Sequence, residues 1–128
     1  RVIKAGFMYQ ADLVTKEIER ATTLADMCMK AGVEDSTWNN IGRCIRAFHD
    51  YNVYHADLNA RNILLCEEGE IYLIDFDKSY IRVSGDSWKA SNLSRLNRSL
   101  MKFKASNDMF HYAENHWDRL LDGYNLQA

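Results

Sequence analysis

Apolar residues recur with a helical period in the second quarter of the chain. Four of them are spaced by three, four and three residues and fall on one helix face: Trp38, Ile41, Ile45 and Phe48. Asp35 or Ser36 stands where a residue would cap the start of this helix. The pattern predicts a helix whose last turns lead into the polar segment that begins at His55.

The same reasoning predicts three further helices. The first is capped by Thr22 or Thr23 and ends near Gly32. Its apolar residues are Leu24, Met27 and Cys28. The second has apolar residues at Leu93, Leu96, Leu100 and Phe103. The last is predicted to run up to Gly123, with apolar residues at Met109, Tyr112, Trp117, Leu120 and Leu121.

Short apolar runs predict two strand pairs. Residues 63–66 and Ile71–Ile74 flank a turn at residues 67–69, which is the pattern of a hairpin. An earlier hairpin is predicted from residues 2–5 and 7–18, which Gly6 separates. Helices combined with antiparallel strands indicate the α+β class.

Composition narrows the function classes. The chain has 128 residues, of which 47% are hydrophobic and 27% charged, as in one globular domain. A net charge of -2 gives no bulk signal for nucleic acid, and no apolar run is long enough to span a bilayer. Cys28, Cys44 and Cys66 form no C-x-x-C pair, so we expect reduced thiols.

Residues 55–62 carry the pattern that points to chemistry. They read His-Ala-Asp-Leu-Asn-Ala-Arg-Asn and match the H-x-D-x-x-x-x-N catalytic loop of kinases. In that pattern Asp57 receives the proton of the acceptor hydroxyl, and Asn62 binds a magnesium ion. Asp75 follows the predicted hairpin directly, where a second magnesium ligand is expected. His55 is expected to support the loop rather than to transfer protons.

Several positions depart from eukaryotic protein kinases. Ala56 replaces the arginine that would bind an activation-loop phosphate, so that form of switching is not expected. Asn59 stands where serine/threonine kinases carry lysine, and Asp77 replaces the glycine of D-F-G. The chain after Asp75 is also too short for the helical subdomain that binds a polypeptide. These departures favour a small-molecule or glycolipid acceptor.

Four segments resemble the bacterial 3-deoxy-D-manno-octulosonic acid (Kdo) kinases. They are residues 9–18, residues 54–64, residues 73–77, and Trp88 together with residues 92–100. The resemblance implies transfer of the γ-phosphoryl group of ATP, with Mg²⁺, to a hydroxyl of the Kdo sugar in the lipopolysaccharide inner core. The acceptor would be a Kdo-containing lipid A precursor, and the enzyme would lie at the cytoplasmic face of the inner membrane of a Gram-negative bacterium.

The resemblance also assigns nucleotide and acceptor contacts. Backbone groups of Glu17, Ile18 and Glu19 would meet adenine at the hinge, and Leu64 would form part of the floor beneath the ring. Five basic residues and no acidic one lie between Trp88 and Lys104: Lys89, Arg95, Arg98, Lys102 and Lys104. Arg95 and Arg98 are the candidates to bind an acceptor oxyanion or an anionic membrane surface. A solvated helix face is the alternative interpretation.

The implied fold is protein-kinase-like. Residues 1–18 would be the last strands of the N-terminal lobe with the hinge, and residues 19–128 the helical C-terminal lobe with its catalytic-loop hairpin. Gly6 is the only glycine before Gly32, so a glycine-rich phosphate loop has no counterpart here. We expect a fragment of a longer protein, because the chain begins at Arg1 rather than Met, and we expect it to be inactive alone.

Two other functions remain open from the sequence. The first keeps the chemistry but changes the acceptor, as in a choline-type, aminoglycoside-type or RIO-like kinase. The second is a non-catalytic, pseudokinase-like binding module. The presence of Asp57, Asn62 and Asp75 together favours a catalyst. No nucleic-acid partner is expected, and the sequence leaves the oligomeric state open.

Overall fold

A computed structural model describes residues 2–4, 21–67, 69–74, 80–82 and 85–126. The described strands are β1 (Val2–Lys4), β2 (Thr22–Thr23), β3 (Val53–His55), β4 (Ile63–Leu65), β5 (Ile71–Ile74) and β6 (Tyr80–Arg82). The described helices are α1 (Leu24–Lys30), α2 (Asp35–Asp50), α3 (Lys89–Ser106) and α4 (Glu114–Asn125). The predicted α+β class is confirmed.

The strands form two antiparallel sheets. In the larger sheet the order is β1-β5-β4-β2, and β4 pairs with β5 as the predicted hairpin. β1 pairs with β5, with Ile3 opposite Leu73. The residues 7–18 of the earlier predicted hairpin lie outside the described residues. The smaller sheet, β3 with β6, was not predicted, and it sets His55 opposite Tyr80.

Helices α1 and α2 form where the periodicity predicts them. Thr23 caps α1, and its hydroxyl accepts a hydrogen bond from the Asp26 N–H at 3.0 Å. The predicted cap of α2 was wrong by one or two residues, because Glu34 occupies the N-cap position and makes no side-chain capping bond. The four predicted apolar residues of α2 are all buried. Asn52, at φ 61°, turns the chain from α2 into β3, a backbone conformation that asparagine tolerates well.

Helix α3 also forms as predicted, whereas the start of α4 differs. Met109 and Tyr112 precede α4, which begins only at Glu114. Asn107 explains the difference, because its side-chain oxygen accepts from the Met109 N–H at 2.9 Å and its carbonyl from the Phe110 N–H at 3.0 Å. The turn gives these two N–H groups hydrogen-bond partners without a helix. It also places the buried Phe110 in the core.

Two glycines allow α2 and α4 to touch backbone to backbone. A Cβ added at Gly42 would lie 1.9 Å from the Leu120 carbonyl oxygen. A Cβ added at Gly123 would lie 1.9 Å from the carbonyl oxygen of Asn39. Neither partner is a side chain that could rotate away. The close crossing of these helices therefore depends on both glycines.

The core lies between the helices and one face of the β4–β5 hairpin. Ile63, Leu65, Ile71 and Leu73 join this main cluster, whereas Leu64 and Tyr72 belong to a separate cluster on the other face. In the part of the chain that the structure describes, no helix has both the length and the apolar character needed to cross a bilayer.

Candidate active site

The loop of residues 56–62 is held between two short strands. β3 ends at His55, and β4 begins at Ile63, immediately after Asn62. The Ala60 carbonyl accepts from the Ala25 N–H at 3.0 Å, and the Ala60 N–H donates to Ser99 Oγ at 3.1 Å. The first turn of α1 and the middle of α3 therefore both fasten this loop.

His55 connects the loop to the end of β5. Its Nδ1 accepts from the Asp57 N–H at 3.1 Å, so the hydrogen of the neutral ring lies on Nε2. Nε2 then donates to the Ile74 carbonyl at 2.7 Å. The Ile74 N–H donates to the Asn62 carbonyl at 3.0 Å. Both backbone groups of Ile74, the residue before Asp75, are thus hydrogen-bonded, one to His55 and the other to Asn62. His55 makes the supporting contacts expected of it.

Asp57 and Asn62 contact each other across the loop. The Asn62 Nδ2 donates to the Asp57 carbonyl at 2.8 Å and lies 3.4 Å from Asp57 Oδ2. The Asn59 Nδ2 donates to Asp57 Oδ1 at 3.0 Å. Asp57 is exposed, while Asn62 is buried. The loop therefore presents one carboxylate to solvent, with Oδ1 engaged by Asn59 and Oδ2 the less engaged oxygen.

Behind this loop lies a buried chain of hydrogen bonds. The Asn92 Nδ2 donates to the His55 carbonyl at 2.8 Å, which orients the amide so that its oxygen accepts from His49 Nε2 at 2.9 Å. His49 Nδ1 then accepts from the Tyr124 hydroxyl at 2.7 Å. Burial lowers the pKa of His49 to about 4, so the ring is neutral at physiological pH.

Sequence reasoning missed this set of residues. Asn92 belonged to a segment of family resemblance, but no role was assigned to it. The available signal was a polar residue one position before the buried Leu93 and four before Leu96. A buried amide needs partners, and the structure supplies them from α2 and β3.

The predicted nucleotide and acceptor residues have separate locations. Leu64 is buried with Tyr72 on the face of the hairpin away from the main core. Arg95 and Arg98 are exposed on α3, and no ion pair among the described residues involves either of them. Glu17, Ile18, Glu19 and Asp75 lie outside the described residues, so their predicted roles stay predictions.

Of the two predicted magnesium ligands, Asn62 and Asp75, the structure describes Asn62. Among the described residues no group donates a hydrogen bond to Asn62 Oδ1, and this amide oxygen is the kind of ligand that Mg²⁺ takes. The described residues alone contain no cluster of three or more metal-binding side chains. Strand β5 ends at Ile74, the residue before Asp75, and the Ile74 N–H donates to the Asn62 carbonyl. A second oxygen ligand at position 75 is therefore compatible with this geometry.

Comparison with known proteins gives consistent matches. The model of the lipopolysaccharide kinase (Kdo/WaaP) family matches residues 1–124. A 3-deoxy-D-manno-octulosonic acid kinase of Photobacterium profundum is 42% identical over 126 residues, covering 98% of this chain and 52% of that protein. The protein of the same name from Vibrio cholerae is 43% identical over 102 residues, covering 80% of this chain and 43% of that protein. The protein of the same name from Xylella fastidiosa is 36% identical over 124 residues, covering 97% of this chain and 49% of that protein. The chain thus spans about half the length of these relatives.

Proposed function

The chain belongs to the lipopolysaccharide kinase (Kdo/WaaP) family, and we propose that it carries the catalytic loop of a 3-deoxy-D-manno-octulosonic acid kinase. The reaction transfers the γ-phosphoryl group of ATP to a hydroxyl of the Kdo sugar in the lipopolysaccharide inner core. The observation that carries the proposal is the joint geometry of Asp57 and Asn62. One loop exposes a carboxylate beside a buried amide, and His55 ties that loop to the residue before Asp75.

In this proposal Asp57 is the catalytic base. The acceptor O–H gives its proton to Asp57 Oδ2 as the acceptor oxygen forms a bond to the γ-phosphorus. The bond from that phosphorus to the β,γ-bridging oxygen breaks, and ADP leaves with the electron pair. Asn59 holds Oδ1 at 3.0 Å, which keeps the carboxylate turned with Oδ2 available.

The residues at positions 62 and 75 would hold magnesium. Asn62 Oδ1 and the Asp75 carboxylate are the proposed ligands, and a bound Mg²⁺ would offset negative charge on the phosphates. Backbone groups of Glu17, Ile18 and Glu19 are proposed to contact adenine, with Leu64 beneath it. Support for Leu64 comes from its place on the hairpin face away from the helical core.

The wider setting is also a proposal. The chain would correspond to the last N-lobe strands and hinge (residues 1–18) and the C-terminal lobe (residues 19–128) of a protein-kinase-like fold. The whole enzyme would act at the cytoplasmic face of the inner membrane. Basic side chains of α3 such as Arg95 and Arg98, which are exposed and have no acidic partner among the described residues, are suited to the acceptor or to anionic headgroups.

The test measures phosphoryl transfer by the full-length protein to a Kdo-containing lipid A precursor. Asp57→Asn should lower kcat by about 100- to 10,000-fold, since it removes the proton acceptor. Its affinity for ATP should change little. Asp75→Ala should instead abolish magnesium-dependent ATP binding. Asp118→Asn, a change of an exposed carboxylate on α4, is the matched control and should leave both quantities unchanged.

Three outcomes would contradict the proposal. Full activity of Asp57→Asn would show that Asp57 is not the catalytic base. Transfer to choline, an aminoglycoside or a protein in preference to Kdo would assign a different acceptor. Binding of ATP without any transfer by the wild type would indicate a pseudokinase-like module.

A further inference from the structure

A cavity opens between the loop of residues 56–62 and helix α3. Its volume is about 420 Å³, within the range of small-molecule sites. Six of the described residues line it: Asn59, Arg61, Ser99, Lys102, Phe103 and Ser106. Asn59 is also the residue that donates to Asp57 Oδ1 at 3.0 Å. The cavity is therefore connected through Asn59 to the carboxylate that is proposed to receive the proton.

The described residues of this lining include two cations and no acid. Arg61 stacks its guanidinium over the Phe103 ring, with the central carbon 5.1 Å from the ring centroid. This contact restricts the guanidinium while leaving its N–H donors free. Lys102 contributes the second positive charge. No ion pair within the described portion of the chain involves either residue, so both charges remain available to a ligand.

Hydroxyl groups complete the wall opposite the loop. Ser99 Oγ accepts from the Ala60 N–H at 3.1 Å, which leaves the hydroxyl hydrogen of Ser99 to donate. Ser106 lies two helical turns further along the same face of α3. Two cations and two hydroxyls suit a polyhydroxylated molecule that carries a negative charge.

We propose that Arg61 and Lys102 form an oxyanion subsite for the acceptor, which binds a carboxylate or phosphate of the acceptor while its hydroxyl meets Asp57. This inference rests on the proposed function, because it names the part of the acceptor that the same site recognises. It differs from the proposal for Arg95 and Arg98, neither of which lines the cavity. An Arg61 guanidinium held on Phe103 would bind the oxyanion through two parallel N–H donors.

The experiment uses steady-state kinetics of the full-length protein with a Kdo-containing lipid A precursor. Arg61→Gln and Lys102→Gln should each raise the acceptor KM about tenfold, as expected for loss of a charge-assisted hydrogen bond. The KM for ATP and kcat should stay within about twofold. Arg61→Lys should give an intermediate acceptor KM, because it keeps the charge but not the planar pair of donors. Arg43→Gln, which removes an exposed cation on α2, is the control and should change nothing.

Two altered acceptors distinguish the source of the oxyanion. One has the Kdo carboxylate converted to its methyl ester, and the other has a dephosphorylated lipid A. Removal of the oxyanion that binds here should raise the wild-type acceptor KM by about tenfold or more. The same removal should raise the acceptor KM of Arg61→Gln by a smaller factor, because one of the two contacts is already lost in that variant. The Lys102 side chain makes no hydrogen bond among the described residues, so Lys102→Gln tests the subsite even if loss of the Arg61–Phe103 contact unfolds the other variant.

The outcomes separate the subsite from the function on which it rests. If the wild type and Arg43→Gln phosphorylate the precursor and the Lys102 and Arg61 variants match them in acceptor KM, the subsite is overturned and the kinase function stands. The subsite is likewise overturned if each altered acceptor raises the acceptor KM by the same factor in the wild type and in the Arg61 and Lys102 variants. A wild type that phosphorylates no Kdo acceptor overturns both.

Discussion

Acid should destabilise this fold through one buried histidine, His49. Its ring accepts a hydrogen bond from Tyr124 at Nδ1 and donates one to Asn92 from Nε2. A second proton would have to sit on Nδ1, where it would break the bond from the Tyr124 hydroxyl and place a charge in the core. Lys89 and Arg46 also disfavour that charge, whereas the hydrogen bond with Asn92 and the charge of Asp50 favour it.

The size of the effect follows from the pKa of His49. Burial lowers this pKa from 6.5 to about 4 in the folded protein. The unfolded chain therefore binds the proton more readily, and the free energy of unfolding falls as the pH drops from 6.5 towards 4. At about 1.4 kcal/mol per pH unit, the loss is about 2 kcal/mol between pH 7 and pH 5 and approaches about 3 kcal/mol below pH 4.

Urea unfolding at pH 7 and pH 5 measures this loss in the full-length protein. His49→Gln should be less stable at pH 7, yet its own stability should fall about 2 kcal/mol less than that of the wild type between the two pH values. His111→Gln, a change of an exposed histidine, should keep the wild-type pH dependence. An equal loss in the wild type and in His49→Gln would refute the reasoning, as would an imidazole titration by NMR with a midpoint near 6.5 for His49.

Two further perturbations test the packing. Gly42→Ala should destabilise the fold by about 1–3 kcal/mol in urea unfolding, because its Cβ would lie 1.9 Å from the Leu120 carbonyl oxygen; a gain of about 1 kcal/mol, usual for this change in a helix, would contradict the close crossing. Burial raises the pKa of Cys28 and Cys44 to about 12, so in native protein at pH 8 both should react with a thiol reagent far more slowly than the partly exposed Cys66. All three should react at similar rates in urea, and equal native rates would refute the burial.

Several features could be predicted because their signals are local. The apolar spacing of α2 predicts which side chains are buried, since the helical period alone determines its faces. The hairpin before Asp75 follows from two short apolar runs and a turn. Where the start of α4 was predicted too early, a local signal was overlooked, because the Asn107 turn competes with the helix for the same backbone groups.

The sequence by itself determined the candidate chemistry. The spacing of Asp57, Asn62 and Asp75 was sufficient, because a catalytic loop is one continuous stretch followed by one hairpin. The acceptor class came from departures such as Ala56 and Asn59 and from the family resemblance. These inferences needed no knowledge of how the helices pack.

Only the tertiary structure revealed what surrounds that loop. His49 meets Asn92, 43 positions later, and Tyr124, 75 positions later. Arg61 likewise reaches a cavity shared with Lys102 only because α3 crosses beside the loop. Such contacts depend on the distance and angle between packed elements, and those are set by close approaches such as that of α2 and α4 at Gly42. A periodic pattern tells which face of a helix is buried, but it does not specify the residue that this face will meet.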